Sequence, residues 1–170
     1  MAVESNSPYI FLVDDEPIQN EMLKDFLSEK FAFNFKTFES GEDAIKELHL
    51  NPVAIVLDYH LNAHLPDAKN GVEVLREIRE HNTDAKVIML SGQDKIEVAI
   101  DSMKYGAFDY VIKGETAFSR MENIINYINE VNFIRAANKK YKFMLTFLGV
   151  AFILVLATAI VMLLRLNSNY

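Results

Sequence analysis

The chain has 170 residues, 51% of them hydrophobic, which is enough for one packed domain with an appendage. Without cysteine it can form no disulfide framework, thiolate metal site or thiol nucleophile. All 24 acidic residues lie at or before Glu130, against 12 Lys and Arg in the same stretch, whereas five basic residues and no acidic ones follow from Arg135. An acidic front lacks the basic face that general nucleic-acid binding needs, so no nucleic-acid partner is expected.

Residues 1–8 read as a tail. They carry no positive region followed by an apolar stretch, so they are not a secretory signal, and the front domain is expected to stay in the cytoplasm. Tyr9 to Val13 is a short apolar run of the kind buried on both faces of a parallel sheet, and Asp14, Asp15, Glu16 and Pro17 follow it. Pro17 suits the first turn of a helix whose inward face is read from Ile18, Met22, Phe26 and Leu27. Phe31 to Phe38 alternates as an edge strand, and Ser40 caps a second helix with Ala44, Ile45 and Leu48 facing inward. Val53 to Leu57 is the clearest buried strand and delivers Asp58. Tyr59 to Asn70 contains Pro66, has no clear period and reads as a loop, long for this kind of connection.

Val72 to Ile78 predicts a third helix, and Lys86 to Leu90 a fourth strand that ends at Ser91 and Gly92. Ile96 to Tyr105 predicts a fourth helix stopped by Gly106. Phe108 to Ile112 predicts a fifth strand ending at Lys113 and Gly114, after which Met121, Ile124, Ile125 and Ile128 form the stripe of an amphipathic helix. Five strand–helix alternations imply a parallel sheet covered on both faces. Asp14 and Asp15, Asp58, Ser91 and Lys113 then all fall at the carboxyl ends of strands, the edge where such sheets place ligands. Singly, each has a plainer reading: acids at a helix start, a loop cap, a turn serine, a solvated lysine. Together they define an acidic pocket with one hydroxyl and one ammonium, a composition suited to a hard divalent cation and a phosphoryl group.

The segments Phe11-Leu12-Val13-Asp14-Asp15, Val56-Leu57-Asp58, Met89-Leu90-Ser91-Gly92 and Gly106 to Lys113 closely resemble the receiver domain of two-component response regulators, over roughly Tyr9 to Tyr127. The resemblance implies a flavodoxin-like (βα)5 doubly wound sheet of order 2-1-3-4-5 that accepts a phosphoryl group on Asp58 from a histidine kinase or phosphotransfer protein. A carboxylate and a phosphoryl donor repel one another, so a cation must screen the approach. Magnesium fits, held by Asp15 and Asp58 with support from Asp14 and a backbone carbonyl near His60. Lys113 would pair with a phosphoryl oxygen and Ser91 would donate to another, drawing its loop inward. Tyr110 holds the place of the aromatic side chain that turns inward with that loop. Such a domain is not an enzyme in the usual sense, since it catalyses only its own phosphorylation and dephosphorylation. The family also implies a homodimer through the fourth helix, fifth strand and fifth helix.

The chain departs from the family pattern in two places. Gly114 stands where proline usually follows the lysine through a cis bond, so this bond is either a strained cis or trans. The loop beyond Asp58 is longer, with Pro66 and Gly71 displaced outward. His60 and His64 lack the helical spacing of a transition-metal pair. A flavodoxin is excluded because Asp14, Asp15 and Glu16 would repel a flavin phosphate, and a haloacid-dehalogenase phosphatase because its two aspartates are separated by one residue. A phosphorylation-independent scaffold that docks a partner stays open, as does a phosphotransfer enzyme acting on a small metabolite.

Residues 9–130 are therefore read as a receiver domain and 131–142 as a basic helical linker. Phe143 to Leu164 is a run of 22 residues without a charge, about 33 Å long as a helix, and is read as a single transmembrane helix. Lys139, Lys140 and Lys142 precede it and Arg165 follows, which keeps the receiver cytoplasmic and leaves 165–170 as a short tail across the cell membrane.

Overall fold

The computed structural model describes residues 7–61, 69–81, 84–92 and 96–167, and the side chains within that set except at 136, 139 and 155–167. Tyr9–Val13 forms β1, whose consecutive side chains point to opposite faces. Phe11 and Val13 enter one apolar cluster and Ile10 and Leu12 the other. Ala54–Asp58 (β3) and Lys86–Ser91 (β4) repeat this, with Ile55, Leu57, Val87 and Met89 on the first face and Ala54, Val56, Ile88 and Leu90 on the second. With Asn34–Phe38 (β2) and Asp109–Ile112 (β5) the sheet is parallel throughout, in the order β2-β1-β3-β4-β5. That is the flavodoxin-like arrangement expected.

Four helices join these strands: Pro17–Ser28 (α1), Gly41–Lys46 (α2), Gly71–Glu80 (α3) and Ile96–Lys104 (α4), with a 3-10 turn at Leu48–Leu50 after α2. Ser40 caps α2 as expected, its Oγ accepting from the Asp43 N–H at 3.2 Å. Asn70 caps α3 through a reciprocal box with Glu73, which satisfies amides at the helix start. The α2 and α3 residues Ala44, Val74, Leu75 and Ile78 cover the first face of the sheet. Leu23 and Leu27 of α1 cover the second, together with Met121, Ile125 and Ile128 of the last helix, α5 (Ala117–Asn167).

Arg79, near the end of α3, clasps the edge of the sheet opposite to Asp58. Its Nε and Nη2 donate to the Gly106 carbonyl at 3.1 and 2.9 Å, and its Nη1 donates to the Ala85 carbonyl at 2.8 Å. Gly106 has φ of +91°, a conformation only glycine adopts without strain, and this lets the chain turn from α4 into β5.

Three readings change. The second strand is shorter than Phe31 to Phe38: Phe31 and Phe33 precede β2 and pack against the second cluster, so their alternation reflects a shared apolar neighbour and not a ladder. In α1 the inward face is turned from that expected. Ile18 and Met22 are exposed, while Asn20, Leu23 and Leu27 are buried. The third concerns the membrane helix. Among the described residues no helix is long and apolar enough to cross a membrane, so the structure does not support the anchor expected over 143–164. The described side chains of that run are those of 143–154, about 18 Å of helix against a hydrocarbon core of about 30 Å, and the remainder lies outside the described set. The backbone of α5 is nevertheless helical through Asn167. The chain divides into a unit ending at Ile128 and another from Asn129 onward.

Candidate functional site

The carboxyl edge of the sheet gathers most of the residues singled out. Asp14 follows β1, Asp58 closes β3, Ser91 closes β4 and Lys113 follows β5, and Asp14, Asp58 and Ser91 are buried. Backbone bonds extend the ladder past the strand ends: the Lys113 N–H donates to the Ser91 carbonyl at 2.7 Å, the Tyr59 N–H to Leu90 at 2.9 Å and the Asp14 N–H to Phe38 at 3.1 Å. The loops leave the sheet in fixed directions and bring their first side chains together.

Lys113 is the hub. Its Nζ donates to Asp14 Oδ2 at 2.7 Å and lies 3.1 Å from Asp58 Oδ1. Asp14 Oδ1 accepts from the Glu16 N–H at 2.9 Å, and Asp58 Oδ2 accepts from the His60 N–H at 3.2 Å. Burial raises the Asp58 carboxyl above the ordinary carboxylate value, and the Asp14 charge adds to this; Lys113 and the His60 amide oppose it without cancelling it. For Lys113 burial alone would lower the ammonium, but the hydrogen bond to Asp14 and the charges of Asp58 and Asp14 together outweigh it and raise its value.

Oxygens of Asp14, Asp15 and Asp58 lie within 4.8 Å of one another, and Asp15 Oδ2 is buried with no hydrogen-bond partner. Three converging carboxylates and an orphaned oxygen form an all-oxygen donor set, which suits a hard divalent cation and not a soft transition metal. The orphaned atom costs folding free energy unless a cation or water meets it.

Asn20 escaped the sequence reading, and Gly71, read there only as displaced outward in the long loop, sits against Asp58. Asn20 is buried in α1 and its Nδ2 donates to the carbonyls of Asp14 and Phe38 at 2.9 and 3.0 Å, fixing the acidic loop against the end of β2. Gly71 opens α3, and its N–H donates to the Tyr59 carbonyl at 2.8 Å. A Cβ there would come within 2.2 Å of the Asp58 carbonyl oxygen. The two ends of the long connection after Asp58, Tyr59 and Gly71, thus meet beside the aspartate. His64 and Pro66 lie outside the described residues. Tyr110 is half-buried in β5 and packs against the first cluster, three residues before Lys113. No cis peptide occurs among the described residues, so Gly114 follows Lys113 through a trans bond.

A five-stranded parallel α/β fold that brings three carboxylates and a lysine together on its carboxyl edge, with a buried serine at the end of β4, has the architecture of a receiver-type domain. Residues 10–126 match the family described as the response regulator receiver domain, and the chain belongs to that family. Transcriptional regulatory protein MalR of Bacillus subtilis (strain 168) is 32% identical over 108 residues, covering 61% of this chain and 43% of MalR. Transcriptional regulatory protein CssR of the same organism is 34% identical over 104 residues, covering 61% and 44%. Among solved structures, the BeF3-activated DrrB receiver domain is 27% identical with a TM-score of 0.62, covering 73% of this chain and 98% of that one. The matches thus span less than half the length of both curated relatives.

Proposed function

We propose that this chain is a membrane-tethered response regulator that accepts a phosphoryl group on Asp58 and signals through protein contacts. The observation that carries the reading is Lys113 Nζ set between Asp14 and Asp58, 2.7 and 3.1 Å away, at the edge where all the strand ends meet. In the transfer, a carboxylate oxygen of Asp58 forms the new O–P bond as the donor's bond to phosphorus breaks, and the donor leaves with that electron pair. The histidine of a kinase or phosphotransfer protein is the donor proposed. Lys113 turns from Asp58 to a phosphoryl oxygen and offsets the charge that arrives. Ser91 donates from its hydroxyl to another phosphoryl oxygen, and Tyr110 follows the Ser91 loop. Asp14, Asp15 and Asp58, with the His60 backbone carbonyl, would hold magnesium. When bound, the ion screens the repulsion between acceptor and donor. The reaction is the domain's own phosphorylation and dephosphorylation, with no separate substrate.

Output through a second receiver is supported by Ile96, Ile100 and Met103, which stand exposed on one side of α4, and by the exposed Ile112 of β5. Anchoring over 143–164 is supported by the uncharged run Phe143 to Leu164 and the helical backbone through Asn167, and the basic flank before it favours a cytoplasmic receiver.

The test is to incubate the full chain in detergent with magnesium and a small acyl phosphate, then follow acylphosphate at Asp58, with Asp58→Asn as control. Label confined to Asp58 supports the proposal. Absence of label with donor and with candidate kinases, together with partner binding retained by Asp58→Ala, would instead favour a docking scaffold. Extraction of the full chain from membranes by alkaline carbonate would refute the anchor alone.

A further inference from the structure

Beyond the receiver unit and before Phe143, α5 presents apolar side chains to water: Ile134 and Tyr141 are each more than half exposed. They are not scattered. Counting from Val131, the first and fourth places of a seven-residue repeat are filled by Val131, Ile134, Asn138 and Tyr141. Up to Lys142, the residues Asn129, Asn132, Lys140 and Lys142 fall off that stripe and Phe133 is the large apolar residue that departs from it; from Phe143 onward exposed apolar residues stand on every side of the helix and mark no stripe. A stripe repeating every 3.5 residues is matched by another helix wound around it, which keeps the seam closed where a straight helix would drift away.

The charges choose the occupant and its direction. Glu130 precedes the first core residue, at the seventh place of its repeat, and Arg135 takes the fifth place of the next. In a parallel pair these two places face each other across the seam, so Glu130 meets Arg135 of the partner subunit, and the reverse contact repeats by symmetry. In an antiparallel pair the fifth places face one another, which sets Arg135 and Lys142 against like charges. Asn138 points the same way. At a first place in a parallel pair it meets its own copy and the two amides bond, whereas an antiparallel pair would bury it against apolar side chains.

We infer that residues 131–142 pair in parallel with the same segment of a second copy of this chain as a short two-stranded coiled coil, with Asn138 fixing the register. The inference concerns a surface separate from the exposed face of α4 and β5, and it requires no phosphorylation. An anchor over 143–164 would hold two copies in the same parallel sense.

The natural absence of cysteine makes the test direct. Single-cysteine variants Ile134→Cys, Tyr141→Cys and Asn132→Cys of the full chain are placed in lipid vesicles and mildly oxidised, each also carrying Asp58→Asn in a parallel series. Rapid disulfide dimers at Ile134→Cys and Tyr141→Cys with slow ones at Asn132→Cys, in both series, are expected. Equal rates at the three positions, or fastest reaction at Asn132→Cys, would overturn the seam. In the Ile134→Cys background, Glu130→Arg or Arg135→Glu alone should lower the initial rate about fivefold, and the two together should restore it. Failure of the double exchange to restore it would overturn the parallel register. Because Asp58→Asn cannot accept phosphate, loss of the phosphoacceptor reading would leave these results unchanged.

Discussion

Gly71→Ala tests how closely the helix after the long loop is fitted to the aspartate. A Cβ at this position would sit 2.2 Å from the Asp58 carbonyl oxygen and 2.8 Å from Tyr59 Cα, where ordinary contact begins at 3.4 Å. Both neighbours are backbone and cannot turn aside like a flexible side chain. Relief needs a displacement of about 1.2 Å between the end of β3 and the start of α3. Overpacking of this kind costs about 3 kcal/mol, and the reduced freedom of the unfolded chain returns about 0.5–1 kcal/mol, so a net loss of about 2 kcal/mol is expected. In a chain of this size that lowers Tm by on the order of 8 °C. The same displacement would break the 3.1 Å pairing of Asp58 with Lys113 and the 3.2 Å bond from the His60 amide. Misplacement on this scale slows transfer about 100-fold. Urea unfolding and the initial rate of acylphosphate formation read the two effects. Gly114→Ala is the control, because nothing lies within 4 Å of a Cβ there. If Gly71→Ala matches the wild type in both assays, the close approach is not a constraint and the reasoning fails.

Asn20→Ala should cost about 1–3 kcal/mol, since it removes the side-chain donor to the Asp14 carbonyl and leaves the Phe38 carbonyl with the Asp14 N–H alone, and urea denaturation measures it. Asp58→Asn should be more stable than the wild type at neutral pH in metal-free buffer. The folded value of Asp58 lies above its unfolded one, so the folded state binds the proton more tightly, and the wild type loses stability as pH rises through the Asp58 value. The advantage of the variant should shrink as pH falls below the ordinary carboxylate range; an advantage that grows on acidification would reverse the assigned sign. Magnesium at about 100 times its Kd should stabilise the wild type by about 2.7 kcal/mol. Asp15→Asn should remove most of that gain, because Asp15 Oδ2 is buried with neither a hydrogen-bond partner nor the lysine that faces Asp58 Oδ1, and thermal melts with and without the ion decide it.

The sheet was legible because its central strands are apolar on both faces. Val53 to Leu57 and Lys86 to Leu90 each differ from the observed strand only at the ends, and strand ends depend on hydrogen bonds that composition does not record. Asn20 was not legible. A polar residue on the inward face shifts the apparent phase of α1, and only the positions of two carbonyls from distant segments reveal why it is buried. Phe31 and Phe33 misled in the opposite way, since apolar residues that cover a core can alternate without belonging to a ladder. The acidic pocket was recognisable from strand ends and from the resemblance, whereas the bond between Lys113 and Asp14, 99 residues apart in the chain, required the fold. The Asn70 capping box was present in the sequence as an asparagine three residues before a glutamate, although the reading began the helix at Val72.

Arg79 gives the two rims of the sheet different mechanical characters. One guanidinium stitches the approaches to β4 and β5 together through the Ala85 and Gly106 carbonyls, while at the other rim the segments after the same two strands carry Ser91 and Lys113. A pull on those two side chains therefore acts on strands whose far ends are moored. The stitched rim is placed to act as a fulcrum, so that a small displacement at the open rim would tilt the β4–β5 edge instead of sliding the whole layer. Cutting the stitch with Arg79→Met would leave every group of the acidic pocket in place while removing the point against which it works.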